Sequence, residues 1–115
     1  MDVVVTVPKK LWTDWLAEGS RAGEPPEDPN QGFDFSVPSR PKIERGERVY
    51  VVAHGRLRGY ARLVSIERDD RTYFLVRKAG AVAVTIADTI PGFRGWRYRW
   101  WDPSIEIPFP EWKTP

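Results

Sequence analysis

The chain contains no cysteine and a single histidine, His54. Thiol nucleophiles, Cys-ligated zinc, iron–sulfur clusters and multi-histidine metal centres are thereby excluded. A metal held by carboxylates alone is the one metal chemistry left open, and no metal or cofactor is expected. There is no phosphate-cradling loop of the G-x-x-x-x-G-K-S/T type and no H-E-x-x-H helix. No apolar run approaches the ~20 residues that cross a bilayer, and no basic-plus-apolar leader opens the sequence. The expectation is a soluble, cytoplasmic protein without a membrane partner. With catalytic groups this scarce, the balance falls toward binding and away from enzymatic activity.

What the chain does have is 115 residues, 41% hydrophobic, 30% charged and 13% aromatic, enough for one domain spanning 1–115. The net charge of +2 conceals an asymmetry: residues 1–38 carry −4 and the remainder +6. Thirteen of the 18 basic residues are arginine, whose planar fork suits phosphate and whose flat face stacks on rings. A polyanion is therefore a natural partner, while a merely solvated basic surface is the plain alternative.

Val3 to Val7 is a β-branched run, apolar on both faces, as in a central strand. After Pro8, the residues Leu11, Trp12, Trp15 and Leu16 fall on one helical face, predicting a short amphipathic helix over Lys9 to Glu18 closed by Gly19. Trp12 and Trp15 are pocket candidates, although this spacing more often serves a core. Pro25, Pro26, Pro29, Pro38 and Pro41 predict a long Pro/Gly-rich acidic loop at about 20–47, partly pinned through Phe33 and Phe35.

From Glu47 the pattern turns to period two. Val49, Val51 and Ala53 predict one strand, His54-Gly55-Arg56 a turn, and Leu57, Gly59, Ala61 and Leu63 alternating with Arg58, Tyr60 and Arg62 the next. Asp69-Asp70 predicts a second turn, Thr72 to Lys78 a strand, Ala81 to Ile86 another, Phe93 to Trp101 another, and Ile105 to Phe109 a last extended edge. The fold class expected is sheet-dominated α+β: a small antiparallel pseudo-barrel with an N-terminal strand and one short helix.

Seven of the 15 aromatic residues lie between Phe93 and Trp112. On a continuous strand Arg94, Trp96, Tyr98 and Trp100 share one face, and Arg97, Arg99 and Trp101 the other. Arginines beside an exposed ring suit single strands and RNA, whereas rings plugging a barrel beneath a solvated basic face are the structural alternative. Arg56, Arg58 and Arg62 bracket Tyr60 in the same way. The nucleic-acid-binding candidates are therefore Arg56, Arg58, Tyr60, Arg62, Arg94, Trp96, Arg97 and Arg99. Catalytic candidates are weak. His54 has no nucleophile placed near it, and Lys42 with Glu44, two residues apart, is the one acid/base pair on offer.

The stretch Glu44-Arg45-Gly46-Glu47-Arg48-Val49-Tyr50-Val51-Val52-Ala53, followed by Gly55-Arg56-Leu57-Arg58-Gly59-Tyr60-Ala61-Arg62-Leu63-Val64, resembles a strand pair of the PUA-like superfamily, in particular its ASCH and EVE branches. The resemblance covers about 20 residues closely and the order of elements loosely. It implies a small pseudo-barrel whose cleft binds RNA or a modified base. The G-x-K-x-x-E-x-R stretch of ASCH proteins is met only by Arg40-Pro41-Lys42-Ile43-Glu44-Arg45, without the glycine and at other spacing.

Three functions follow as expectations. The first is a nucleic-acid-binding module holding RNA or a modified base in a cleft lined by Trp12 or Trp15, Tyr60 and residues 94–101. The second is a small hydrolase of a modified nucleoside using Lys42 and Glu44. The third is a protein-interaction module in which residues 101–112 form a partner surface. A monomer or weak homodimer fits the first.

Overall fold

The computed structural model of the chain describes residues 1–17, 22–23 and 32–115. Strand β1 (Val3–Thr6) leads through one 3-10 turn (Lys9–Leu11) into helix α1 (Trp12–Ala17). Then come β2 (Gly32–Val37), β3 (Arg48–Ala53), β4 (Arg56–Asp69), β5 (Thr72–Lys78), β6 (Val84–Thr85), β7 (Trp96–Tyr98) and β8 (Ile107–Pro108). Six strands form one sheet in the order β2-β5-β4-β3-β1-β7, and β6 pairs with β8 apart from it.

Val3, Val4 and Val5 are buried on both sides of β1, as an all-apolar β-branched run requires. Their strand lies parallel to β3, with Val3 opposite Val49, and antiparallel to β7, with Val3 opposite Tyr98. The parallel joint corrects the all-antiparallel expectation: more than forty residues, α1 and β2 among them, carry the chain round to re-enter beside β1 in the same direction. β2 and β7 stand at opposite edges without pairing. The architecture is sheet-dominated with one short helix, and its mixed sheet is open where a closed barrel has none.

β2 is a second correction, because it lies inside the stretch expected to be loop. Phe33 and Phe35 are half-buried and alternate with exposed Gly32, Asp34 and Ser36, and the strand pairs along its whole length with β5. Period two here outweighs the local density of proline. Residues 18–21 and 24–31 of the expected helix end and loop lie outside the described residues.

Apolar clusters form on both faces of the sheet. The first gathers Val3, Val5, Val49, Val51 and Leu75 with Trp12, Trp15, Phe109 and Trp112. The second gathers Val4, Tyr50, Val52, Leu57, Ile86, Ile90 and Trp101. A six-residue helix does not persist alone. Burial of Trp12 and Trp15, with centroids 5.4 Å apart and Trp15 edge-on to Trp112 at 6.1 Å, holds α1 in place. Truncating either ring to alanine should cost roughly 3–5 kcal/mol.

A bulge in β4 decides which side chains meet. Val52 faces Leu57 but Val51 faces Gly59, so Arg58 is an extra residue with no partner across the ladder. Gly59 takes φ +153°, and next to it Tyr60 and Val82 exchange two backbone hydrogen bonds of 3.1 and 2.9 Å. Unbroken alternation would put Arg56, Arg58, Tyr60 and Arg62 on one face. The bulge instead sends Arg56 and Arg58 to the side of α1 and Phe109, and Tyr60 and Arg62 to the side of Tyr50.

Candidate functional site

Tyr50 anchors the second face. It is fully buried, and its hydroxyl donates to Glu106 Oε2 at 2.6 Å, the oxygen that also accepts from Trp101 Nε1 at 2.8 Å. Arg48 Nη1 donates to Glu106 Oε1 at 3.2 Å and to the Tyr50 hydroxyl at 3.0 Å. The Glu106 side chain is 6% exposed, and these three donors, the Arg48 cation among them, satisfy its oxygens. Burial, reinforced by the hydrogen bond to Glu106, holds the Tyr50 phenol well above its ordinary value of 10.0.

Rings extend from this network in both directions. Tyr60 lies 5.3 Å from Tyr50 with the Arg48 guanidinium 4.1 Å above its own centroid, and Trp101 meets Tyr50 edge-on at 5.1 Å. Trp100 continues from Trp101 at 5.0 Å, perpendicular to it and 54% exposed. A fixed row of rings thus ends in one open indole.

Cations border the row. Arg62 lies directly opposite Arg48 on this face, exposed, with Nη1 donating to the Gly46 carbonyl at 2.9 Å. Arg97 sits on the same face across Val4, which itself lies beside Tyr50, and its exposed guanidinium is 4.5 Å from the Phe93 ring. Neither has a carboxylate within ion-pair distance among the described residues. β4 and β7 are separated by β3 and β1, about 14 Å at ordinary strand spacing. The two arginine-bearing segments therefore flank the aromatic row and do not merge. Arg99 is taken up by an ion pair to Asp2 at 3.2 Å and by the Trp101 carbonyl, while Arg94 is exposed.

The expected ladder of Trp96, Tyr98 and Trp100 is broken, because β7 ends at Tyr98. Trp96 and Tyr98, 4.7 Å apart, pack on the first face, where Trp96 Nε1 donates to the Ser39 carbonyl at 3.0 Å and the Lys42 amide donates to the Tyr98 hydroxyl at 3.1 Å. Trp100 departs toward Trp101. The single cleft expected from Trp12 or Trp15, Tyr60 and residues 94–101 is likewise not formed: the helix tryptophans and Tyr60 belong to opposite faces.

Among the described residues, two cavities on the first face stand out. One of about 610 Å³ is lined by Trp15, Leu11, Phe33 and Phe35 together with Asp14 and Asp34. Its described lining holds two carboxylates and no cation, which makes it a poor seat for phosphate. Trp12 is not part of its wall. The other, about 240 Å³, lies beside Arg56, Arg58 and His54.

Arg58 is 1% exposed; Nε donates to the Ala53 carbonyl at 2.9 Å and Nη1 to those of Trp112 and Thr114 at 3.0 and 2.6 Å. Burial and the neighbouring Arg56 lower its pKa. Lys42 and Glu44 do share a face, as their spacing demands, but it is the solvent face: Pro41 and Ile43 turn inward, and neither side chain lines either of these two cavities.

No group of three or more metal-ligating side chains occurs among the described residues, and no described helix is long and apolar enough to cross a membrane. Compared with protein-family models, curated proteins and solved structures, the chain finds no significant match.

Proposed function

We propose that the chain is a PUA-like nucleic-acid-binding module that holds a single strand, RNA in particular, on the face carrying Trp100, Tyr60, Arg48, Arg62 and Arg97. The observation that carries this reading is Trp100. A large ring costs free energy to leave in water, and this one is held by Trp101, which is itself tied to Glu106 and Tyr50. An immobilised exposed ring offers stacking with little entropy left to lose. Arg62 and Arg97, free of carboxylates among the described residues, supply the phosphate contacts on either side. The acidic 610 Å³ cavity is the wrong sign for such a partner, which favours this face for the strand. The hairpin stretch and order of elements that resemble PUA-like proteins support the same reading.

Titration with mixed-sequence single-stranded RNA and DNA oligonucleotides tests it. If about three phosphates are neutralised, affinity falls roughly twentyfold between about 50 and 200 mM salt. Trp100→Ala should weaken binding roughly tenfold or more at either salt. No binding at low salt, or full affinity in the Trp100→Ala protein, overturns the proposal.

A further inference from the structure

The cavity of about 240 Å³ beyond the bulge carries an arrangement that the strand-binding face does not use. Its wall includes His54, Arg56, Arg58, Phe109, Glu111 and Thr114. Arg56 and Arg58 direct their guanidiniums to the same ring, 4.6 and 5.2 Å from the Phe109 centroid. Two like charges brought together this closely oppose one another, and no carboxylate lies within ion-pair distance of either among the described residues.

Donor capacity is left over on both arginines. Arg56 makes no hydrogen bond to any described group, so its whole fork is unspent. Arg58 spends Nε and Nη1 on carbonyls, leaving Nη2. His54 Nε2 is buried without a hydrogen-bond partner, and the residue is held at φ +49°, a conformation a non-glycine residue adopts only at a cost. Its ring is kept in place edge-on to Trp12 at 5.0 Å. Glu111, which is exposed, and Pro115 complete the wall. The volume is below that of a site for a drug-sized ligand and fits a phosphate with at most a sugar-sized group attached.

We propose that this cavity is a site for a phosphate group, free or in a small monoester, in which Arg56 and Arg58 grip the phosphate oxygens beside the His54 imidazole. Guanidinium forks match phosphate geometry in pairs, and a preformed pair of them pays little to reorganise. The site lies on the opposite face from Trp100, so it does not depend on strand binding.

The test follows the His54 imidazole by NMR in the full chain while inorganic phosphate, and separately a pentose monophosphate, is added against chloride at matched ionic strength. Saturable shifts of the imidazole signals are expected with phosphate and not with chloride. Arg56→Gln, which removes no hydrogen bond among the described residues and so should fold, is expected to weaken that binding about tenfold, and Glu111→Gln to strengthen it. Tighter binding of the monophosphate than of inorganic phosphate marks an esterified ligand, and equal binding marks free phosphate. Absence of a saturable shift at millimolar phosphate, or an unchanged response in Arg56→Gln, overturns the proposal while leaving the oligonucleotide result intact.

Discussion

Gly59→Ala is the sharpest perturbation of the fold. A Cβ on Gly59 would lie 2.7 Å from the Ala22 Cβ and closer still to the Val82 carbonyl oxygen, inside any contact that real Cβ atoms make. The backbone must therefore move, and the neighbouring hydrogen bonds between Tyr60 and Val82 stand in its way. Losing both costs about 0.5–1.5 kcal/mol each. Holding alanine at φ +153° costs about 1–3 kcal/mol more, against which a stiffer unfolded chain returns about 0.4–1 kcal/mol. With the overpacking included, the expected loss is about 4 kcal/mol, or a melting temperature lower by about 15 °C in a domain of this size.

Gly55→Ala is the matched control. Gly55 also has positive φ, +72°, but nothing lies within 4 Å of an added Cβ, so conformational strain alone remains: about 1 kcal/mol and about 4 °C. Calorimetry and urea denaturation of the two variants separate strain from contact. If Gly59→Ala loses no more stability than Gly55→Ala, the bulge is not packed as described, and the division of the β4 arginines between faces loses its basis.

Other outcomes follow from the buried polar groups. Arg58→Met keeps the stem but strips three carbonyls of their donor, and should cost about 3 kcal/mol, moving the urea midpoint down by about 1.5 M and speeding proteolysis of residues 112–115; an unchanged midpoint contradicts the role given to Arg58. Tyr50 keeps its proton in the folded state at pH values where the unfolded chain has released it, because its folded value is raised above 10.0. The stability it contributes is therefore whole below pH 10.0 and lost as pH rises beyond it, by up to about 1.4 kcal/mol per unit. In Tyr50→Phe that alkaline slope should flatten, and an identical slope would show that Tyr50 is not the group responsible.

Local signals carried much of this fold. The β-branched run of β1, the turn at His54-Gly55 and the limits of β5 at Thr72 and Lys78 depend on neighbours in sequence, and the structure has them where the pattern put them. β2 was hidden by surrounding prolines, although Phe33 and Phe35 already showed the period of a strand. The one local mark of the bulge is Gly59, a glycine inside a strand pattern that permits close backbone approach, but what approaches it, Val82 and Ala22, arrives from distant parts of the chain. One extra residue then reversed the parity of everything before it in β4.

The candidate interface divides in the same way. Tyr60, Arg62 and Arg97 were legible by residue type. Arg48 and Glu106 were not, since a pair 58 residues apart is brought together only by the sheet. Trp100 could be read only as a rung of a longer strand. What frees it is the end of β7 at Tyr98, beyond which the chain crosses to Tyr50.

The most direct measurement of the central claim is ultraviolet crosslinking of the intact chain to single-stranded RNA, with the linked peptides mapped by mass spectrometry. The account predicts crosslinks concentrated at Trp100 and Tyr60, diminished by salt and displaced by unlabelled strand. Crosslinks confined to Trp15, Phe33 or Phe35 beside the acidic cavity, or none at low salt, would contradict it.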